Sequence, residues 1–540
     1  MNNLNESQRK AVECDDKKIL CLAGAGTGKT YTLIHRISRL IDDNLCRGSN
    51  VLALTFTNAA AFEMQERFDR LHPAGIASQP EFRTFHAFCY SLLSKDIAIR
   101  QKLGYCDVPN ICTDEDVKRI QTTVKLSYGI KLSQKLIDNP TKISSRDQFE
   151  YDIYKKALKR EFINQNLISF DTLCREVCAL FTQNDPVTDK YKRRYSYIMI
   201  DEFQDTDPMQ WEFAKSFTDS NLFIVGDALQ ALYGFRGADS TIIKQLANDP
   251  TWTVIKLFDN YRSSAEICDF ANNMSVYADN AYRIALHSDR VENRTVCCDC
   301  FEDGDRFHSV SVEMQQAVLN GLNKLTGTTA ILCRQNREVT EISQYLTSND
   351  IDVTLQRSNI EAVQLLKSAR DLDYMIDWIA SQLQAESYAN WIRMTSLYPD
   401  MDRKEKLDLF EQFVSQNVSA RNLMRKVRVI RQMLKESSDP LVERGNQVFQ
   451  YLKIRQRVEI EPHDLSELAD YLVQSLEHTT ESDIYVGTIH SSKGLEYDNV
   501  ILLNVGGKSF SLSEEENLNC LYVGITRAKH ILKVYYSIVN

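Results

Sequence analysis

The chain holds 540 residues with a formal net charge of −10, and 43% of them are apolar. That length suits three or four domain-sized units, each large enough to bury a core. No run approaches the ~18 consecutive apolar residues of a membrane span, and the polar start from Met1 to Gln8 lacks the layout of a secretory signal, so a cytoplasmic chain with no membrane attachment is expected. The acidic balance leaves nucleic acid open as a partner, because phosphate binding needs only a local groove.

The first strong signal is a short apolar strand, Ile19-Leu20-Cys21-Leu22. It runs into Ala23, Gly24, Ala25, Gly26, Thr27, Gly28, Lys29 and Thr30, and an amphipathic helix follows with Leu33, Ile34, Ile37, Leu40 and Ile41. Strand, Gly-rich turn and helix start are the setting a phosphate loop requires. Glycines let backbone N–H groups converge on phosphate oxygens, and the helix dipole adds to them. Lys29 is expected to neutralise the β- and γ-phosphates and Thr30 to offer its hydroxyl to Mg²⁺. The first loop position is Ala23 where the strict pattern has Gly.

Further strands follow the same plan. Val51–Leu54 leads to Thr55-Phe56-Thr57-Asn58, and Thr84-Phe85-His86 comes next. From about Cys89 to Tyr191 the pattern is mostly helical and includes Ser169-Phe170-Asp171-Thr172-Leu173. Tyr197–Ile200 ends in Asp201-Glu202, where one carboxylate suits Mg²⁺ and the next suits polarising an attacking water. Leu222–Val225 leads to Gly226-Asp227, and Thr253–Ile255 leads towards Asn260-Tyr261-Arg262. Strands alternating with helices imply a parallel α/β sheet with function at the strand C-terminal ends.

The fourteen cysteines are scattered, which in a reducing compartment reads as buried thiols. One cluster, Cys297, Cys298 and Cys300, lacks the second ligand pair of the usual zinc spacings. A strand with small side chains is the expectation there, and a metal stays open. Beyond it, a second helical stretch runs from about Asp352 to Glu481, with Leu365, Leu366, Leu372, Met375, Ile376 and Ile379 at helical spacing. The chain closes on a strand from Ile531 to Tyr536.

These motifs, in this order, resemble the UvrD/Rep/PcrA group of superfamily 1 DNA helicases. Leu4-Asn5-Glu6-Ser7-Gln8 looks like the adenine-reading segment, and Leu54–Ala61 and Thr84–Phe88 look like motifs Ia and Ib. Ile200–Thr206, Val225–Ala238 and Asn260–Ser263 look like motifs II, III and IV. Ala330–Asn336 looks like IVa, Gly487–Tyr497 like V and Leu521–Lys529 like VI. The set spans Leu4 to Lys529, and its order makes it specific.

The resemblance implies an α/β fold with two RecA-like parallel-sheet P-loop NTPase motor domains, each carrying a mostly helical insertion. Motor domain 1A would comprise residues 1–87 and 191–259, with insertion 1B at 88–190. Motor domain 2A would comprise 260–351 and 482–540, with insertion 2B at 352–481. ATP would lie between the lobes. Arg262 and Arg527 would meet the γ-phosphate, Gln230 would couple it to the DNA track, and Glu496 would approach the ribose or the phosphate end. Adenine would be read by Gln8 and stacked on Tyr261. Relatives commonly have Arg where this chain has Tyr31, so an aromatic takes the opposing position.

Single-stranded DNA would be stacked by Phe56, Phe85, Tyr233 and Phe235, the last often Trp in relatives. Thr57, Asn58, Thr84, His86, Arg236, Thr488 and His490 would hold phosphates or bases. The implied activity is ATP-dependent translocation on single strands and at junctions of single- and double-stranded DNA, 3′→5′. Both insertions look short, and motif VI is followed by one strand, which sets the chain apart from fused helicase–nucleases of the RecB and AddA types. A compact motor for a separate nuclease or repair partner fits this layout, as in the helicase subunit of the Gabija antiviral defence system. The rival reading is a regulatory module that binds ATP and DNA ends and recruits or gates a partner nuclease. A P-loop kinase leaves motifs V and VI unexplained.

Overall fold

The computed structural model describes residues 4–538 except 74, 113, 139–142, 145, 235–236, 293, 305–308 and 356–481. The expected insertion 2B, with Leu365 to Ile379, therefore lies outside the described residues, as do Phe235 and Arg236. The chain divides into two compact units, 1–338 with 488–540, and 339–487.

In the first unit, strands β1 (Lys18–Ala23), β2 (Val51–Thr55) and β3 (Glu81–Thr84) belong to a six-stranded sheet. A small parallel pair, β4 (Asn110–Ile111) and β5 (Leu167–Ile168), stands apart from it. β6 (Tyr197–Ile200), β7 (Asn221–Gly226) and β8 (Thr253–Leu257) complete the large sheet, in the order β3-β2-β6-β7-β1-β8. Every pairing in it is parallel. The cause is legible in the strands: β2 is buried along its whole length and β1 along all but its first residue. Strands covered by helices on both faces read as unbroken apolar runs. Ile19, Cys21, Leu33, Ile37, Val51, Ala53, Met64, Phe68 and Val225 share one core there.

The same unit carries a second parallel array. It comprises β9 (Val296–Glu302) and β10 (Thr329–Cys333), then β13 (Tyr497–Val505) and β14 (Ala528–Ile538); in the second unit, β11 (Thr354–Leu355) and β12 (Ile484–Thr488, all but its last residue) form a short parallel pair. β10 pairs with β13, β13 with β14 and β14 with β9, all parallel. Cys297, Cys298 and Cys300 are exposed on β9. Among the described residues no three His, Cys, Asp or Glu side chains are disposed to hold a metal ion.

Helices α1 (Glu6–Glu13), α2 (Lys29–Asp42), α3 (Asn58–Leu71) and α4 (Phe85–Lys95) follow the sequence signals closely. Asn5 and Gln8 form a capping box at the start of α1. Thr57 caps α3 and Thr84 caps α4, each accepting from the N–H three residues on. Because Thr84 starts α4, the expected boundary at residue 88 falls inside a helix. Arg36 on α2 is 2% exposed and donates to the Ala11 and Val12 carbonyls, which fastens α1 to the sheet. Beyond α4 the chain is helical, as expected, with helices such as Asp114–Tyr128, Gln148–Asn164 and Phe170–Thr182. No described helix is long and apolar enough to cross a membrane.

Candidate ATP and nucleic-acid site

The functional side chains gather at the C-terminal ends of the strands, where an open α/β sheet offers a crevice. The loop after β1 starts α2 at Lys29, and its Gly26 and Gly28 have φ of +69° and +82°. A Cβ on Gly26 would stand 2.8 Å from the Asn260 amide nitrogen, so the position admits only glycine. Asn260 Nδ2 donates to the Ala25 carbonyl at 2.7 Å, and Gln8 Nε2 donates to the Thr27 carbonyl at 3.0 Å. In a planar trans peptide the following N–H points the opposite way, so these bonds turn the Gly26 and Gly28 amides away from Asn260 and Gln8.

Beyond β6, Thr30 donates to Asp201 Oδ2 at 2.7 Å. Glu202 adopts a left-handed backbone, φ +50° and ψ 43°, a conformation that costs a non-glycine residue about 1–2 kcal/mol. Its carboxylate stands 3.6 Å from Lys29 Nζ. Burial, then the adjacent Glu202 charge, raises the Asp201 carboxyl to about 6. Glu202 goes the other way: burial opposes ionisation, but Lys29 and then Lys493 overcome it and hold the carboxyl low, at about 2. Glu202 is thus the more firmly ionised member of the pair, and Asp201 is also mostly ionised at neutral pH.

Five residues close a ring here, through four links between side chains and one from the Asp227 backbone. Lys29 Nζ donates to Gln230 Oε1 at 3.1 Å, and Gln230 Nε2 donates to Asp227 Oδ2 at 2.8 Å. The Asp227 N–H donates to Gln204 Oε1 at 3.0 Å, Gln204 donates to Glu202, and Glu202 faces Lys29. Asp227, Gln204 and Gln230 are all buried.

The opposite wall comes from the second array and the segment after β8. Arg262 Nε donates to Glu496 at 2.8 Å, and its Nη1 donates to the Thr526 carbonyl at 3.0 Å. Glu496 also pairs with Lys529 at 2.9 Å. Arg527 is 2% exposed and donates to the Val523 and Leu495 carbonyls, both at 3.1 Å. Burial, then Arg262, lowers it to about 9, which leaves it cationic at neutral pH. Lys493 reaches across to Asp205, to the Gln230 carbonyl at 2.8 Å and over the Tyr233 ring at 4.9 Å. Lys29, Thr30, Tyr31, Asp201, Glu202, Gln230, Arg262, Glu496 and Arg527 all line one cleft of about 470 Å³. Lys493 lines it as well.

Comparison with known proteins agrees with this geometry. The family model described as the UvrD/REP helicase N-terminal domain matches residues 4–251, and that described as the UvrD-like helicase C-terminal domain matches residues 377–538. The chain belongs to the UvrD/Rep/PcrA-like superfamily 1 helicases. It is 27% identical to the ATP-dependent DNA helicase PcrA of Bacillus subtilis, over 98% of this chain and 82% of that protein. It is 28% identical to a probable DNA helicase II homolog of Rickettsia conorii, over 100% of this chain and 94% of that one. A probable DNA helicase II homolog of Mycoplasma genitalium is 26% identical, over 98% and 84%. As a UvrD-like helicase the chain is an ATP-hydrolysing enzyme that acts on DNA, built on two RecA-like motor domains.

Within this UvrD-like frame the remaining predicted residues fall unevenly. Tyr261 is 58% exposed, and its hydroxyl accepts from Asn5 Nδ2, which also donates to Asp259. Tyr31 packs edge-on to His35 with ring centroids 4.2 Å apart. Phe56 and Tyr233 stack at 5.1 Å with their planes 16° apart, beside exposed Thr57 and Asn58. Phe85 differs from its expected role. It is 4% exposed and edge-on to Phe213, because its place at the start of α4 turns it into the core. Thr84 is also buried, its hydroxyl engaged as the α4 cap. His86, Thr488 and His490 are partly exposed.

Sequence reasoning did not nominate Lys493, Asp205, Asp227 or Gln204, although all four lie inside the quoted motifs. It also gave Phe170 no role. That ring is 53% exposed and edge-on to His86 at 5.8 Å. The sequence shows only an aromatic directly after the Ser169 cap, and its exposure appears in the structure.

Proposed function

We propose that this helicase translocates 3′→5′ along single-stranded DNA by closing the cleft on ATP and reopening it after hydrolysis. The observation that carries the reading is the convergence of Lys29 and Glu202 with Arg262, Lys493 and Arg527 around one cleft. Lys29 and the loop amides hold the phosphates, and Glu202, the more firmly ionised carboxylate, orients the attacking water. Arg262 and Arg527 turn from their present carbonyl and carboxylate partners to the γ-phosphoryl oxygens, which planar guanidinium forks suit. Gln8 and Tyr261 read the adenine, with Tyr31 opposite.

The Thr30 hydroxyl and Asp201 carboxylate fit Mg²⁺, being a neutral and an anionic hard oxygen 2.7 Å apart, with the Asp201 charge disfavoured by burial and then by neighbouring Glu202. The ion would offset phosphate charge there. Towards DNA, stacked Phe56 and Tyr233 are the base platform, flanked by Thr57, Asn58, His86, Phe170, Thr488 and His490. Lys493 touches both the Gln230 carbonyl and the Tyr233 ring, so it joins the nucleotide end of the cleft to that platform. A cytoplasmic setting, and a repair or nuclease partner, belong to the same reading.

The test is strand displacement on 3′- and 5′-tailed duplexes, with Lys29→Ala as control. Unwinding from 5′ tails alone refutes the polarity. Single-strand-stimulated hydrolysis without displacement would favour the recruiting module instead.

A further inference from the structure

The segment after β8 carries Tyr261 and Arg262 to the cleft, and the residue before them is buried. Asn260 is 4% exposed, and its carboxamide is engaged at both ends. Its Nδ2 donates to the Ala25 carbonyl at 2.7 Å, 235 residues away in the chain. Its Oδ1 accepts from the Arg262 N–H at 2.8 Å and from the Ser263 N–H at 2.7 Å. The Asn260 N–H donates to the His287 carbonyl at 2.6 Å, which fixes its own backbone. Beside it, the Tyr261 N–H donates to the Gly26 carbonyl at 3.0 Å. Two successive loop carbonyls, Ala25 and Gly26, therefore face this segment. The approach is close, for a Cβ on Gly26 would stand 2.9 Å from the Arg262 Cβ.

Arg262 is held unequally. Its N–H is bound by Asn260, and its carbonyl accepts from Arg290 Nη1 at 2.6 Å, so its main chain is pinned on both sides. Its guanidinium rests on Glu496 and the Thr526 carbonyl, partners that a swing of the side chain alone can release. One buried carboxamide thus sets both the loop that would cradle phosphates and the main chain from which Arg262 swings.

We infer that Asn260 is a positioning residue for phosphoryl transfer. It fixes the distance between the phosphate loop and the root of Arg262, so that a γ-phosphate seated on the loop lies within reach of the guanidinium. The inference rests on the reading of Arg262 as a γ-phosphate ligand. Asparagine suits the place because one flat amide both donates and accepts. Its polar atoms are spent on main chain, so it acts through the loop and Arg262. Transfer is steep in such geometry, and a misplacement of about 1 Å can cost about 10²-fold in rate.

The experiment is a double-mutant cycle on the full chain, with Asn260→Ala and Arg262→Ala made alone and together. The readout is single-strand-stimulated turnover at saturating ATP, well below the melting temperature of each variant, so that lost stability alone leaves the rate unchanged. Asn260→Ala should lower turnover about 10²-fold when Arg262 is present. In the Arg262→Ala background, with no guanidinium to place, it should cost about threefold or less. Binding of a fluorescent ADP analogue, which has no γ-phosphate, should weaken several-fold in Asn260→Ala and hold steady in Arg262→Ala. If Asn260→Ala does not fold, Asn260→Ser goes through the same cycle with the same expectation. Its hydroxyl can accept from the Arg262 N–H but is too short to span to Ala25 as well. Equal losses in the two backgrounds overturn the inference, as does wild-type turnover in the Asn260 variant. Unchanged ADP binding there overturns the hold on the loop. Wild-type turnover in Arg262→Ala is a different failure: it removes the reading of Arg262, and the inference with it.

Discussion

Lys493→Met should destabilise the protein more at pH 8 than at pH 5. Asp205 has a side chain only 2% exposed, and its partner Lys493 is 9% exposed. One Asp205 oxygen, Oδ1, is buried with no hydrogen-bond partner. Burial already raises this carboxyl from 3.8 to about 6 with Lys493 in place, a shift of roughly 3 kcal/mol against the folded, ionised form. Removing the ammonium leaves the charge uncompensated, which costs roughly 3–5 kcal/mol for a buried pair. An acid whose folded pKa lies above its unfolded value favours folding while protonated, and this is lost as pH rises through the folded pKa. The variant raises that pKa further. Below about pH 5 both proteins carry a largely neutral Asp205 and should differ little. Urea denaturation at the two pH values measures the difference, and Lys493→Met with Asp205→Asn should recover most of the loss at pH 8. Equal destabilisation at both pH values, or no recovery in the double variant, refutes the reasoning.

Arg527→Ala should lower the ATP turnover number by ~10³-fold while nucleotide binding persists, read by steady-state hydrolysis beside equilibrium binding of a fluorescent ATP analogue. Asn5→Ala removes the donor to Tyr261 and the α1 cap. It should raise KM for ATP several-fold with kcat little changed, and lower stability by about 1 kcal/mol. Tyr233→Ala should weaken single-strand binding by about 1–3 kcal/mol, seen as a higher DNA concentration for half-maximal stimulation. Phe85→Ala should instead act as a core deletion, losing about 3–5 kcal/mol of stability, and a change confined to DNA affinity would contradict its burial.

The parallel sheets and the phosphate loop were legible because their causes are local. Val51–Leu54 and Tyr197–Ile200 are unbroken apolar runs, and Gly26 and Gly28 sit where the backbone turns left-handed. Sidedness was not legible. Phe56 and Phe85 occupy similar motif contexts, yet Phe56 stacks on Tyr233 while Phe85 faces Phe213, and only the packing of α4 decides between them. Partners far apart in sequence were equally hidden. Lys493 and Asp205 are separated by 288 residues, and neither neighbourhood names the other. Buried thiols were legible where the run around them is apolar, as at Cys21, Cys89 and Cys333, whereas the exposure of Cys297, Cys298 and Cys300 shows only in the folded strand.

The ring through Lys29, Gln230, Asp227, Gln204 and Glu202 has a consequence for the tempo of the motor. Its charges and amides already satisfy one another, so an arriving nucleotide trades bonds and does not simply add them. A triphosphate has a γ-phosphoryl group to compete for Lys29 and Gln230. A diphosphate lacks it and leaves the ring free to re-form. Under the proposed translocation mechanism, the resting arrangement would act as a return spring, favouring departure of the spent nucleotide and readying the chain for the next step along the strand.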